Sequence, residues 1–150
     1  KLDTIKKDIV WWDAGAQPAQ FLASKEVVMT TAWNGRIQTA IDADKQPFKI
    51  VWNNQILEYD MVAIPKGTKN LDLAYKYLAY ISDPKNNARL SDYITYGPVR
   101  TDATSFVAPE ALAKLPNAPD HMKSYLVADT EFWGDYGEDL VKRFNAWLAQ

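Results

Sequence analysis

Cysteine is absent from this 150-residue sequence, and histidine occurs once, as His121. The first absence excludes disulfides, zinc-thiolate sites and thiol nucleophiles. The second leaves an imidazole metal cluster or a catalytic triad to be built around one residue, and no metal ligand set is expected. His121 reads as a surface or capping residue. Basic charge is not in excess: 17 Lys and Arg face 19 Asp and Glu, for a net charge of −2. Such a chain has no positive patch for a phosphate backbone or an anionic membrane, so no nucleic-acid partner is expected. No apolar run reaches the roughly 18 residues of a membrane helix. The six glycines are scattered and form no phosphate-binding loop, and no serine sits in a nucleophile elbow.

What the chain does have is ordinary globular composition with a surplus of rings. Hydrophobic residues make up 47% and charged residues 24%, enough for one domain or two small lobes with a real core. Aromatic residues reach 13%, and six of them are tryptophan. Rings of this kind fill cores, and they also stack on sugars and on cations.

Hydrophobic spacing divides the chain into helices and strands. Leu2, Ile5, Ile9 and Trp12 repeat at helical spacing over Lys1–Trp12. Pro18 opens a helix that runs to Ala23. Val27–Trp33, Phe48–Trp52 and Ile56–Ile64 read as strands, the first of them buried on both faces. A short helix is expected from Arg36 to Asp42. Asn70 caps a helix whose apolar positions are Leu71, Ala74, Tyr75, Leu78 and Ile81. Asp83-Pro84 starts another that ends near Ile94. Ala108–Leu115 and Asp135–Leu148 complete the set, the last with a stripe of Tyr136, Leu140, Val141, Phe144, Trp147 and Leu148. The sum is an α/β mixture. Three strands are few for such a fold, and the chain reads as part of a larger sheet system.

Two stretches carry chemistry. On a strand, Glu58 and Asp60 point to one face with Cα atoms roughly 6.5–7 Å apart, and Tyr59 points to the other. Two carboxylates on one face ask for something positive between them, either a ligand amine or a side chain such as Arg36. The plain alternative is an edge strand with two solvated acids. Trp33-Asn34-Gly35-Arg36 follows the C-terminal end of a strand, where open α/β sheets bind ligands. Trp33 can wall a pocket there and Arg36 can hold a carboxylate. The alternative is a core indole and a surface guanidinium. Tyr96, before Gly97-Pro98, and Trp133, inside Phe132–Gly137, can each rim a cleft or simply pack.

With these residues placed, the sequence resembles the C-terminal portion of a periplasmic solute-binding protein of an ABC transporter, of the spermidine/putrescine-binding type. The resemblance rests on Glu26–Gly35, Tyr59-Asp60-Met-Val-Ala-Ile-Pro65, Asn70–Pro84 and Tyr96-Gly97-Pro98, in that order and at matching spacing. It implies a type II periplasmic-binding-protein fold of two α/β lobes that trap ligand between them, with this chain a fragment holding parts of both. Residues 1–41 would belong to the second lobe, 42–97 to the hinge strands and part of the first, and 98–150 to helices returning to the second. By the same resemblance Trp33 packs on a polyamine chain, Asp60 binds an amine, and Tyr96 and Trp133 line the cleft. Glu58 replaces a tryptophan of the polyamine receptors, and Arg36 has no counterpart in them. Arg36 for a carboxylate, with Asp60 and Glu58 for an amine, makes a ligand such as an ω-amino acid the natural zwitterionic candidate.

The expected function is therefore reception of a small cationic or zwitterionic solute for an ABC importer. Its partners would be a membrane permease and the remaining part of the same receptor, and its location the periplasm. No cofactor and no catalytic residue are implied. Three other readings stand beside this one: a sugar receptor of the same architecture, a domain whose rings are all core, and a hydrolase using Glu58 and Asp60. Glycosidase carboxylates flank the scissile bond, whereas two acids on one strand lie on the same side of a substrate, which disfavours the hydrolase.

Overall fold

The computed structural model describes residues 1–150, and its centre lies where three short segments cross rather than on a large sheet. Helix α1 (Leu2–Ile5) continues into a 3₁₀ turn at Lys6–Asp8 and stops, with Ile9 extended. Helix α2 spans Gln17–Ala23 with Pro18 in its first turn, as expected from a residue with fixed φ and no N–H to lose. Helix α3 spans Asn34–Asp42 and buries Gly35, Ile37, Gln38 and Ala40. Strand β1 (Gln55–Leu57) precedes α4 (Leu71–Ser82) and α5 (Pro84–Ala88). After 3₁₀ turns at Arg89–Asp92 and Thr101–Phe106 come α6 (Pro109–Leu112), a further turn at His121–Lys123, β2 (Tyr125–Val127) and α7 (Thr130–Leu148).

The caps show why several of these boundaries fall where they do. The Asp83 carboxylate accepts from the backbone N–H groups of Lys85 and Asn86, at 3.0 and 3.3 Å, and opens α5 as the Asp-Pro pair predicts. Asn70 makes no side-chain cap; its own N–H donates instead to the Thr68 hydroxyl. Helix α7 begins at Thr130 rather than Asp135, because the Asp129 carboxylate accepts from Phe132 N at 3.0 Å. Trp133 and Tyr136 therefore sit on a helix, and Gly134 and Gly137 do not break it.

The sheet is far smaller than the sequence implies. β1 and β2 pair in parallel, Gln55 opposite Tyr125 and Leu57 opposite Val127. β2 was not among the expected strands. Val27–Trp33 and Phe48–Trp52 form no ladder, and the strand expected over Ile56–Ile64 ends at Leu57. A strand exists only beside a hydrogen-bonding partner, and β1 and β2 are the one pair of segments that form a ladder. Val28 and Met29, expected inside, are exposed.

Burial concentrates around Ala88, Ala103, Val107 and Leu115, with Ala111 and Leu112 packed on them. His121, expected at the surface or as a cap, opens a 3₁₀ turn and is only partly exposed. Its ring stacks on Trp52 at 4.3 Å, and its Nδ1 lies 2.7 Å from the Leu115 carbonyl, a geometry in which Nδ1–H donates. Gln55 donates from one amide nitrogen to the carbonyls of both Pro116 and His121, tying β1 to this core. At the far end an aromatic cluster of Trp11, Phe144 and Trp147 joins the first residues to α7. Asp3 accepts from the Trp147 indole N–H, and the Lys6 ammonium sits 4.7 Å from the centre of that ring.

Elsewhere the apolar faces are open. Ile56 and Leu126 are each 64% exposed on the sheet, although parallel sheets are normally covered on both sides. Helices α4 and α7 bury no residue fully, so the stripes predicted for them are covered only in part. The accessible surface is 11808 Å². A compact monomer of this mass exposes about 7,700 Å². No helix is long and apolar enough to cross a membrane.

Two predictions follow from this packing. Leu115 is fully buried, so Leu115→Ala should destabilise the protein by about 2–5 kcal/mol in urea unfolding, and a loss well under 1 kcal/mol would place the core elsewhere. The second concerns acid. The Lys114 ammonium bonds both carboxylate oxygens of Asp42 and holds that carboxyl below its ordinary range. A depressed folded value means the bridge contributes fully at neutral pH and fades as pH falls through that value. Lys114→Met should therefore flatten the acid limb of the stability profile, by a small amount because the pair is nearly half-exposed. An unchanged limb would refute the assignment.

Candidate functional site

At the first turn of α3 two distant stretches of chain meet. Trp33 is extended (φ −69°, ψ 122°) and Asn34 begins the helix. The Asn34 amide donates to the Thr95 carbonyl at 2.6 Å, across 61 residues of sequence. Gly35 is buried beneath the opposite segment: a Cβ there would lie 2.9 Å from Tyr96 Cε1 and 3.0 Å from Ile94 Cγ1. Hydrogen makes that approach possible where a methyl group would not. Tyr96 is fixed from its own side by the Ser91 hydroxyl, which donates to its carbonyl at 3.0 Å, and by a bond from its N–H to the Ile94 carbonyl.

This junction brings three of the six candidate residues together by element. Trp33, half-exposed, precedes the first turn of α3; Arg36 lies on that turn; Tyr96 packs over it. Arg36 is exposed and makes no ion pair and no side-chain hydrogen bond. Trp33 packs edge-to-face on Trp12, with ring centres 6.0 Å apart and planes at 75°.

The other three lie at the C-terminal end of the small sheet. The ladder extends one step past the strands, with Ala128 N donating to the Leu57 carbonyl at 2.9 Å. The segments leaving β1 and β2 are thus neighbours. Glu58 and Asp60 lie on the first, both exposed and both without an ion pair. They stand beyond the strand rather than within it. Trp133 is in the first turns of α7, on the second, half-exposed and edge-on to Phe132 at 5.8 Å. No hydrogen bond, ion pair or ring contact joins this group to the one at α3. Two open surface hollows, one lined by Asp3, Lys6 and Leu148 and the other by Lys69–Leu73, include no candidate residue. No three His, Asp or Glu side chains converge on a metal-sized site.

Chemically, the chain offers an unpaired guanidinium on the turn that follows Trp33, and two unpaired carboxylates on a segment that runs beside the one leading to α7. Such groups recognise charge of both signs and hold apolar chain between ring faces. Sequence reasoning missed the residues that place the rings. Gly15 and Trp12 lie against Trp33, and the Asn34 amide binds Thr95. Each of these pairings is between segments far apart in sequence or across a turn, and spacing alone does not reveal it. Two features of the sequence do mark the spot. Gly15 sits in a Gly-Pro-containing turn, and Asn34-Gly35 directly follows a tryptophan.

Known proteins match this frame closely. Residues 1–120 match the family described as bacterial extracellular solute-binding protein. A γ-aminobutyric acid-binding protein of Pseudomonas aeruginosa PAO1 is 41% identical over all 150 residues, which are 42% of its length. A putrescine/cadaverine-binding protein of the same organism is 32% identical over 78 residues, 52% of this chain and 22% of that protein. The crystal structure of an ABC transporter substrate-binding protein from Bradyrhizobium japonicum USDA 110 superposes on 99% of the chain with a TM-score of 0.88 and 34% identity, covering 47% of that protein. The chain thus spans a little under half the length of these relatives over its full match. The uncovered sheet and the open helix faces have the same explanation as that coverage: the chain belongs to the bacterial extracellular solute-binding protein family, and its fold is part of the periplasmic-binding-protein fold.

Proposed function

We propose that this chain supplies ligand-binding residues to the receptor of an ABC importer, and that the ligand is a small solute with an ammonium group at one end and a carboxylate at the other. One observation carries the reading. An exposed guanidinium without a partner, Arg36, sits on the first turn of α3, three residues after Trp33 and next to the Gly35 that Tyr96 covers, in a chain that matches a γ-aminobutyric acid-binding protein over all 150 of its residues. In this reading Arg36 holds the carboxylate with a forked pair of hydrogen bonds. Asp60, with Glu58 beside it, holds the ammonium group. Trp33, Tyr96 and Trp133 wall the aliphatic stretch, with cation–π terms of about 0.5–2 kcal/mol where a ring faces the ammonium.

The lobe assignment goes with this function. Residues 1–41 and 98–150 belong to the second lobe, and 42–97 to the hinge and part of the first; the ligand is held where the lobes meet and is enclosed when they close. The remaining part of the receptor forms the rest of the cleft. The bound solute passes unchanged to a membrane permease, the work is done in the periplasm, and no chemistry occurs on the ligand. A second reading is a diamine such as putrescine. It is favoured by the two unpaired carboxylates and by the putrescine/cadaverine-binding relative, and it gives Arg36 no role.

Calorimetric titration of the whole receptor with γ-aminobutyrate and with putrescine separates the two. Arg36→Ala should weaken γ-aminobutyrate by about tenfold or more while Asp60→Asn weakens both ligands. An Arg36→Ala receptor that keeps its γ-aminobutyrate affinity removes the amino-acid reading. A receptor whose melting temperature rises with glucose and with neither amine sinks both, since a true ligand at 100 times its Kd adds about 2.7 kcal/mol.

A further inference from the structure

The side of Trp33 turned toward the protein rests on a place where a side chain is missing. A Cβ built on Gly15 would overlap Trp33 Cζ3, lie 2.5 Å from Cε3 and 3.3 Å from Cη2. Real Cβ atoms do not come so close to carbon, so the indole occupies space that any residue other than glycine would fill. Gly15 does not need to be glycine for its backbone. Its φ is not in the left-handed region, so alanine fits its conformation without strain. The requirement is purely for room.

The turn that carries Gly15 is held firmly. The Gln17 side-chain carbonyl accepts from the N–H groups of Asp13 and Ala14, both at 2.8 Å, and Gln17 N donates to the Ala14 carbonyl at 2.9 Å. Gly15 therefore cannot easily retreat, and the ring must give way instead. Trp12 closes the third side with its edge-to-face contact. On the other flank, Asn34 is pinned to Thr95, so the backbone of Trp33 is fixed as well. What remains free is the ring itself, half-exposed toward solvent.

We infer that Gly15 is a positioning residue for ligand binding: its missing side chain sets the depth and tilt of the Trp33 indole in the cleft. The inference rests on the proposed role of Trp33 as a cleft wall. It adds that the width of the slot facing the ligand's aliphatic chain is decided at a residue that does not touch the ligand. Any side chain at position 15 would tip the ring outward and narrow the slot.

The test is a double-mutant cycle in the whole receptor, titrated with γ-aminobutyrate and putrescine, with the six tryptophans labelled as 5-fluorotryptophan. The Trp33 resonance is assigned with Trp33→Phe. Gly15→Ala should shift that resonance and the neighbouring Trp12 resonance, leave Trp52 and Trp133 in place, and weaken the tighter ligand by about tenfold. In a Trp33→Ala background, where the ring is gone, Gly15→Ala should change affinity by less than about twofold. A Gly15→Ala receptor that binds normally, or one whose loss adds in full to that of Trp33→Ala, overturns the inference while leaving the role of Trp33 intact. A Trp33→Ala receptor that binds normally overturns both. Shifts spread over all six resonances would mean general misfolding, and this too counts against a local seat.

Discussion

The candidate site depends on how closely two backbone segments can approach. At the start of α3 the chain passes under Ile94 and Tyr96 with only the hydrogen of Gly35 between, and the Asn34 amide bonds the Thr95 carbonyl alongside. Without that approach the helix would stand off from the 94–98 segment. Trp33 and Tyr96 would then belong to separate surfaces, and Arg36 would project into open solvent between them. Two small-residue requirements, at Gly15 and Gly35, thus fix two rings. The polar groups around the rings need only be placed by the helix that follows.

A second constraint is the lack of cover elsewhere. A parallel pair of three-residue strands cannot hold itself together by its hydrogen bonds, which contribute only about 1 kcal/mol each in net terms. β1 is instead secured to the core by Gln55, and β2 follows the turn at His121, itself stacked on Trp52. The apolar residues on the sheet faces and much of those on α4 and α7 stay exposed within these 150 residues. At roughly 25 cal/mol per Å² of apolar surface, covering even part of the excess exposed area outweighs any single contact described above.

Helices were legible in the sequence and strands were not, for a physical reason. The bonds of α2, α3, α4 and α5 are internal to each segment, so Pro18, Asp83 and the spacing of Leu71, Ala74, Leu78 and Ile81 were enough to find them. The β-branched run Val27–Trp33 is strand-like in composition, but its bonds must come from a neighbour that this chain does not contain. Tyr125–Val127 was overlooked because three residues carry no readable alternation. Asp129 as the cap of α7 was visible in principle, three residues before Phe132, but the helix was expected only from Asp135, where its apolar stripe begins. Of the site, the residue types were legible and their grouping was not. That Gly35, two residues after Trp33, meets Tyr96 while Glu58 and Asp60 leave the sheet beside the segment that leads to α7 is a product of tertiary packing.

The aromatic clasp between the first residues and α7 has a mechanical meaning. Asp3 and Lys6 hold Trp147 from two sides, and Trp11 packs on Phe144 and Trp147, so the two extremes of this stretch are fastened to each other. Tension applied between them loads the clasp first, in parallel with everything enclosed. The contacts that close this loop of chain lie outside the core around Leu115 and share no residue with the rings at α3.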